Sequence, residues 1–231
     1  MLKRLLRRLR GPVLRRPAIE VPKATLGTDY GSQTICTLGL RPGAIVYSFG
    51  VGEDASFDLE LIGAFGCDVY AFDPTPRSIA FVASSVRDTH FHFNPIGIAA
   101  SDGTVKVGEP ENPDHVSHYK PARGAGESQR WTEFPVKRYE TIRRELGHDR
   151  VDILKLDIEG FEFEVIPDLV RASVLPVQVL VDFHHGMYGY RESDTSRAVK
   201  LLNGAGLALF HVAENGRHGS FINRKLLGPI A

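Results

Sequence analysis

Cysteine is scarce in this chain: Cys36 and Cys67 are the only two in 231 residues. That excludes a disulfide framework and points to a reducing, cytoplasmic setting. Long apolar runs are missing too. Stretches such as Ala44–Tyr47 and Val179–Val181 fall far short of the roughly 20 residues that a membrane span needs. The 14 Pro and 23 Gly are ordinary counts, which excludes collagen-like and low-complexity chains. Net charge is absent as well, with 28 Lys and Arg against 28 Asp and Glu. What is present is a composition that is 42% apolar and 24% charged, enough to bury a sizeable core.

The neutral total hides an asymmetry. Residues 1–16 hold Lys3, Arg4, Arg7, Arg8, Arg10, Arg15 and Arg16 and no acid, so the remaining 21 basic residues face all 28 acidic ones. An acidic body argues against nucleic acid as a partner, because phosphate backbones are bound by basic surfaces. Leu2, Leu5, Leu6 and Leu9 recur at helical spacing between the arginines. Residues 1–16 therefore read either as a basic amphipathic helix in peripheral contact with anionic membrane or as a solvated end. The segment lacks the apolar stretch and cleavage site of a secretory signal. We divide the chain into a basic tail, 1–25, and one domain, 26–231.

From residue 44 onward strands and helices alternate. Ala44–Phe49, Cys67–Phe72, Phe91–Ala100 (interrupted by Pro95), Val151–Leu156 and Val177–Phe183 read as strands. Helical spacing is visible in Ser56–Phe65, in Ile79–Val86 with Ser78 as a cap, in Tyr139–Leu146, in Phe161–Val170 with Pro167 as a possible kink, and in Ser196–Asn203. Thr104–Val107 and Phe134–Val136 are short extended pieces. Leu207–Val212 and Ser220–Asn223, joined by Asn215-Gly216-Arg217, read as an antiparallel hairpin. Such alternation predicts an α/β, doubly wound, mostly parallel sheet. Residues 108–133 show no periodicity and read as a lid or acceptor loop, with Tyr119 and Trp131 as residues that pin it or touch substrate.

The chemistry of such sheets lies beyond the carboxyl ends of the strands. The first strand runs into Gly50-Val51-Gly52-Glu53-Asp54-Ala55, and 21 positions after Gly52 stands Asp73, where a carboxylate can accept hydrogen bonds from ribose hydroxyls. A nicotinamide dinucleotide and S-adenosylmethionine both fit this pattern. A pyrophosphate would be repelled by Glu53 and Asp54, whereas a sulfonium and an ammonium are attracted. The two acids also suit a helix start on their own account.

Two further strand ends are rich in charge. Asp157 and Glu159 follow Lys155 with a period of two, which places all three on one face if the strand stays extended, with Lys155 paired to Asp157 or Glu162. Glu162 reads best as an ion-pair partner at a helix start. Asp182 and His184 share a face of the next strand, with His185 opposite. A histidine there suits a general base, or equally a side chain satisfied by backbone groups. An Asp/His set also admits a divalent cation, which we do not favour. His115 and His118 lack the company a zinc site requires.

These stretches resemble the FkbM-type methyltransferases, S-adenosylmethionine-dependent enzymes of the class I Rossmann-like fold, over roughly residues 26–224. The strongest likeness is Ile153-Leu154-Lys155-Leu156-Asp157-Ile158-Glu159-Gly160-Phe161-Glu162. Val46–Asp54 resembles the donor loop, Phe72-Asp73-Pro74-Thr75-Pro76 the ribose-binding strand end, and Asn94–Ala99 with Asp102-Gly103 the third motif. Asp182-Phe183-His184 stands where the family has glutamate-x-histidine, and Asp29-Tyr30-Gly31 also looks family-like. The resemblance implies a seven-stranded sheet with the final hairpin inserted antiparallel. It also implies methyl transfer, usually to a hydroxyl of a sugar, glycan or other small molecule. On that reading Gly50, Gly52, Glu53, Asp54, Asp73, Asp102 and Tyr30 bind the donor. Glu53 holds its charged end, Asp73 the ribose and Asp102 the adenine edge. His184 is the base, Asp157 or Asp182 orients it or binds the acceptor, and Glu159 is counted with them among the catalytic residues. The alternatives are an NAD(P)-dependent oxidoreductase and a donor-binding scaffold without catalysis.

Overall fold

The computed structural model describes residues 14, 16–109, 118–121 and 130–226. The strands are β1 (Lys23–Leu26), β2 (Gln33–Cys36), β3 (Ile45–Phe49), β4 (Asp68–Phe72), β5 (Phe91–Asn94), β6 (Gly97–Ile98), β7 (Gly103–Gly108), β8 (Trp131–Lys137), β9 (Ile153–Leu156), β10 (Gln178–Asp182), β11 (Leu207–Val212) and β12 (His218–Asn223). The helices are α1 (Ser56–Phe65), α2 (Pro76–Ser85), α3 (Tyr139–Glu145), α4 (Glu162–Leu169) and α5 (Glu192–Gly204).

Seven strands form the central sheet in the order β11-β12-β10-β9-β3-β4-β5. Neighbours from β10 through β5 are parallel, and β12 alone runs against both β10 and β11. This is the expected doubly wound sheet with an inserted hairpin. The central strands bury both faces because their apolar residues alternate. Tyr47, Phe49, Leu154 and Leu156 enter one core cluster, while Val46 and Ile153 enter the other. Ser48 and Lys155, directly paired across β3 and β9, are the polar exceptions. They face the α1 side, where Asp58 is also buried.

Pro95 breaks the third strand as expected, but the chain then changes sheet. β6 joins β8 in parallel and β8 joins β7 antiparallel, forming a separate three-stranded sheet over the strand ends. Residues 108 and 131–133 therefore belong to strands rather than to a loop. The α2 helix begins at Pro76, not at Ser78, with Thr75 extended before it; the fixed φ of proline suits a first helical turn. The α4 helix passes through Pro167 and ends two residues later.

The β1–β2 pair was not anticipated. Ser220 Oγ donates to Thr34 O (2.7 Å), and the Gln178 amide bonds both Cys36 N (2.7 Å) and Cys36 O (2.8 Å), fastening β2 to the sheet. The domain boundary expected at residue 25 falls inside β1, and Leu14 is already buried in the core. The basic helix expected over 1–16 lies outside the described residues, apart from Leu14 and Arg16. Among the described residues no helix is long and apolar enough to cross a membrane.

Candidate active site

A cavity of about 780 Å³ opens at the carboxyl ends of β3, β4 and β9, within the range of small-molecule sites. Gly50 forms its floor. It has φ +85°, and a Cβ there would lie 1.8 Å from Asp157 O, so only glycine lets the turn touch β9's end. Gly52, at φ +58°, has open space around it and is needed for its backbone conformation alone. Lys155 does not pair with Asp157 or Glu162. Its ammonium donates to Gly50 O (2.8 Å) from beneath the turn. Burial pushes the nearby Asp58 carboxyl up to about 6, against the pull of Lys155.

The carboxylates expected to hold the donor are largely occupied by the protein itself. Asp73 Oδ2 accepts from Val51 N and Gly52 N, both at 3.0 Å. Its Oδ1 accepts from Thr75 N (2.9 Å) and Thr75 Oγ1 (2.7 Å). Asp73 thus builds the donor turn and leaves no oxygen open to a ribose. Asp102 is farther from its expected role. It accepts from Arg138 N (2.7 Å) and Thr141 Oγ1 (2.9 Å), fastening the start of α3, and it does not line the cavity. Glu53 lines the cavity while paired to Arg77 (2.7 Å). Asp54 also lines it, accepting from Thr28 Oγ1 (2.6 Å) and Ser56 N (2.8 Å), and those bonds hold its carboxyl below the usual range despite burial.

Thr28 belongs to the β1–β2 turn, which is laid over the start of α1. Gly27 N donates to Glu60 (2.8 Å) and Thr28 N to Ser56 Oγ (2.9 Å). This turn delivers Tyr30 to the cavity edge, 83% exposed. Partial desolvation, followed by the charges of Asp157, Glu159 and Asp54, raises its phenol.

Asp157, Glu159, Asp182 and His184 do converge. His184 Nε2 faces Glu159 Oε2 (3.1 Å), Asp157 Oδ1 (3.7 Å) and Asp182 Oδ2 (4.0 Å), while Nδ1 faces Glu162 Oε1 (3.2 Å). The convergence does not come from an extended strand. β9 ends at Leu156, and Glu159 sits at φ 49°, which turns the chain back over His184. Glu162, fully buried, also accepts His184 N (2.7 Å) and Gly160 N (2.9 Å), so it shapes the site rather than merely starting a helix. His185 points away and contacts Thr195 (3.0 Å).

Burial alone would lower the His184 imidazole, but hydrogen bonds to Glu159 and Glu162 prevail and carry it up to about 11. Carboxylates facing both nitrogens favour the charged imidazolium. The base role expected of His184 requires its neutral form, and its side chain is not among those that line the cavity. Asp157, with its side chain 36% exposed, reaches the cavity. Burial raises its carboxyl, Lys155 lowers it, and Asp182 adds to the rise. Asp182 goes the other way: burial raises its carboxyl, but the hydrogen bond from His218 (3.1 Å) and the charges of His218, His184 and Arg217 together bring it below the usual range. Asp157, Asp182 and His184 bring one ligand-type atom each within 4.8 Å of one another.

The opposite wall is apolar. Val105 and Val107 of β7 and Phe134 and Val136 of β8 face the cavity, while their alternating neighbours Lys106 and Glu133 face solvent. Residues 118–121 cross between wall and cluster. His118 meets Phe134 edge-on (5.0 Å), Tyr119 stacks on Tyr188 (4.4 Å), and Lys120 N donates to Glu159 O (2.9 Å). Tyr119 therefore pins the chain, whereas Trp131 starts β8 and is 42% exposed. His115 lies outside the described residues. Sequence reasoning missed Tyr188, whose hydroxyl bonds Glu159 (2.5 Å), and His218, the partner of Asp182. Both sit outside any recognisable spacing.

A family model described as the methyltransferase FkbM domain matches residues 45–207. That span holds the glycine turn, Asp73 and the whole carboxylate cluster. Probable methyltransferase-like protein 24 of Rattus norvegicus is 29% identical over 157 residues, which are 67% of this chain and 36% of that protein. Its Homo sapiens counterpart is 26% identical with the same coverage. This chain thus spans little more than a third of the length of these curated relatives. Among solved structures, Aeropyrum pernix fibrillarin in complex with natively bound S-adenosyl-L-methionine aligns over 89% of this chain and 84% of its own, at 14% identity and a TM-score of 0.46. A TehB-like S-adenosylmethionine-dependent methyltransferase from Corynebacterium glutamicum aligns over 79% and 82%, at 12% identity and a TM-score of 0.40. With the family model covering well over half of the sequence, the chain belongs to the FkbM methyltransferase domain family.

Proposed function

We propose that this protein transfers a methyl group from S-adenosylmethionine to a hydroxyl oxygen of a sugar, glycan or other small-molecule acceptor, by in-line displacement. The observation that carries the reading is the charge of the cavity. Asp54, Glu53, Asp157 and Glu159 line it, a setting favourable to a cationic, phosphate-free nucleoside and hostile to a pyrophosphate.

The donor, when bound, supplies an electrophilic methyl carbon and a sulfonium that leaves as a neutral thioether. The protein's part is to align, exclude water and take one proton. Backbone groups of the Gly50–Gly52 turn, shaped by Asp73, present the donor site, with Asp54 and Glu53 facing its positive end. Asp157 accepts the hydroxyl proton as the new oxygen–carbon bond forms. Its raised carboxyl makes it a better base than an ordinary aspartate. The His184 imidazolium, held by Glu159 and Glu162, steadies the negative charge of Asp157 and Asp182.

Calorimetry with S-adenosylhomocysteine, NAD and NADP tests the donor class. Saturable binding of S-adenosylhomocysteine alone supports the reading, and binding of a dinucleotide alone overturns it in favour of an oxidoreductase. Incubating protein and cell extract with methyl-labelled donor then identifies the acceptor fraction. A donor-binding scaffold would bind and label nothing.

The buried, unpaired Cys36 and Cys67 support a cytoplasmic setting. The basic composition of residues 1–16 supports peripheral membrane contact. Equal pelleting with anionic liposomes by the full chain and by a chain lacking residues 1–16 would end that idea.

A further inference from the structure

Among the described residues, two that are not glycine have positive φ: Glu159 at 49° and Tyr188 at 53°. They lie 29 positions apart and are the two ends of one hydrogen bond, Tyr188 Oη donating to Glu159 Oε2 at 2.5 Å. Left-handed backbone is unfavourable for both residue types and persists where surrounding contacts enforce it. Here those contacts can be named. Glu159 is gripped through its carbonyl by Lys120 N (2.9 Å) and through its side chain by Tyr188. Gly160 passes so close beneath the crossing segment that a Cβ would lie 2.6 Å from Lys120 O and 2.8 Å from the Tyr190 ring.

Tyr188 is itself fixed from the same side. Its ring lies flat on Tyr119, with centroids 4.4 Å apart and planes 9° from parallel. Tyr119 is anchored by reciprocal backbone bonds to Gly108 at the end of β7 (2.9 and 3.0 Å). A continuous path therefore runs from the accessory sheet through Tyr119 and Tyr188 to Glu159, whose Oε2 meets His184 Nε2 at 3.1 Å. Tyr188 does not line the cavity; it meets the cluster through its hydroxyl on Glu159 and through its ring, which lies 6.0 Å from the His184 ring with planes 28° apart, and only the hydroxyl contact is lost in a phenylalanine variant.

We propose that Tyr188, braced by Tyr119, is a positioning residue that holds Glu159 Oε2 against His184 and so fixes the imidazole beside Asp157. The contact stands independently of the methyl-transfer reading; its importance for turnover rests on that reading. Removing the hydroxyl frees Glu159 to relax out of its left-handed conformation, and the imidazole loses one of the two carboxylates that orient it.

The full chain, labelled with ¹³C at the tyrosine rings, should show one tyrosine hydroxyl proton far downfield and slow to exchange, as a short bond to a carboxylate requires. Tyr188→Phe should abolish that signal while S-adenosylhomocysteine affinity by calorimetry stays within about twofold. Methyl labelling of the extract fraction that the unmodified chain labels should fall by about tenfold or more in Tyr188→Phe, with the donor KM unchanged. Tyr119→Phe, which keeps the stacked ring, should retain signal and labelling, and Tyr119→Ala should lose both. A downfield tyrosine signal that survives Tyr188→Phe overturns the proposal, as does labelling by Tyr188→Phe at the unmodified rate. If the unmodified chain labels nothing, the proposed function fails, while the hydroxyl signal and its loss still decide the contact.

Discussion

The two acidic regions of the cavity are built on opposite plans. Around the glycine turn each carboxylate has its own local donors: four for Asp73, the Arg77 guanidinium for Glu53, Thr28 and Ser56 for Asp54. At the ends of β9 and β10, four carboxylates crowd round one imidazole, with Tyr188 as a further donor to Glu159, His218 to Asp182 and two backbone N–H groups to Glu162. The first plan discharges its acids into the shape of the backbone. The second concentrates charge around one imidazole. A carboxylate at a strand end is therefore not by itself a ligand or a catalyst, and its donors decide which it is.

The sharpest way to break the comparison is at the point where the two regions touch. Gly50→Ala places a Cβ at 1.8 Å from Asp157 O; it should lower the melting temperature and abolish S-adenosylhomocysteine binding, both measurable on one sample. Asp157→Asn should separate the regions cleanly. Turnover of labelled donor falls by about 10²–10⁴-fold, while calorimetric affinity for S-adenosylhomocysteine is retained. Asp73→Ala should do the reverse of a catalytic change. Donor affinity falls, and stability drops by about 1–3 kcal/mol in urea melts, because buried N–H groups lose their acceptor.

The clustered imidazolium makes a smaller prediction with a definite sign. Its pKa is raised in the folded protein, so its contribution is complete below the ordinary histidine value of 6.5 and drains away as pH rises towards about 11. Between these limits the unfolded chain binds fewer protons than the folded one. Thermal stability should therefore decline with rising pH more steeply in the unmodified protein than in His184→Gln. The least effect belongs to Asp102→Ala, which loosens the start of α3 by about 0.5–1.5 kcal/mol and leaves donor affinity alone. Weakened donor binding in that variant would restore the adenine role it was first given.

What could be read from the sequence follows the same division. The sheet was legible because β3, β4, β9 and β10 are apolar runs closed by turns, and their order followed from strand–helix alternation. The β1–β2 pair was not, since Lys23–Leu26 is half exposed and is fastened by Gln178, 142 positions from Cys36. The cluster was legible because Asp157, Asp182 and His184 sit at strand ends. The internal partners of Asp73 and Asp102 could not be read from the sequence, because they are mostly backbone N–H groups that leave no trace in residue spacing. Glu159 reached its place through a left-handed turn instead of the extended alternation first assumed. Tyr188 depends on that same turn and could not be foreseen.

The ammonium of Lys155 reaches 105 positions back along the chain to the Gly50 carbonyl. The glycine turn and the strand beneath it are thereby tied together across the sheet. With Asp73 accepting from two of its N–H groups and Lys155 donating to its carbonyl, the turn is held from both sides by the protein's own side chains, the arrangement that lowers the ordering cost of binding.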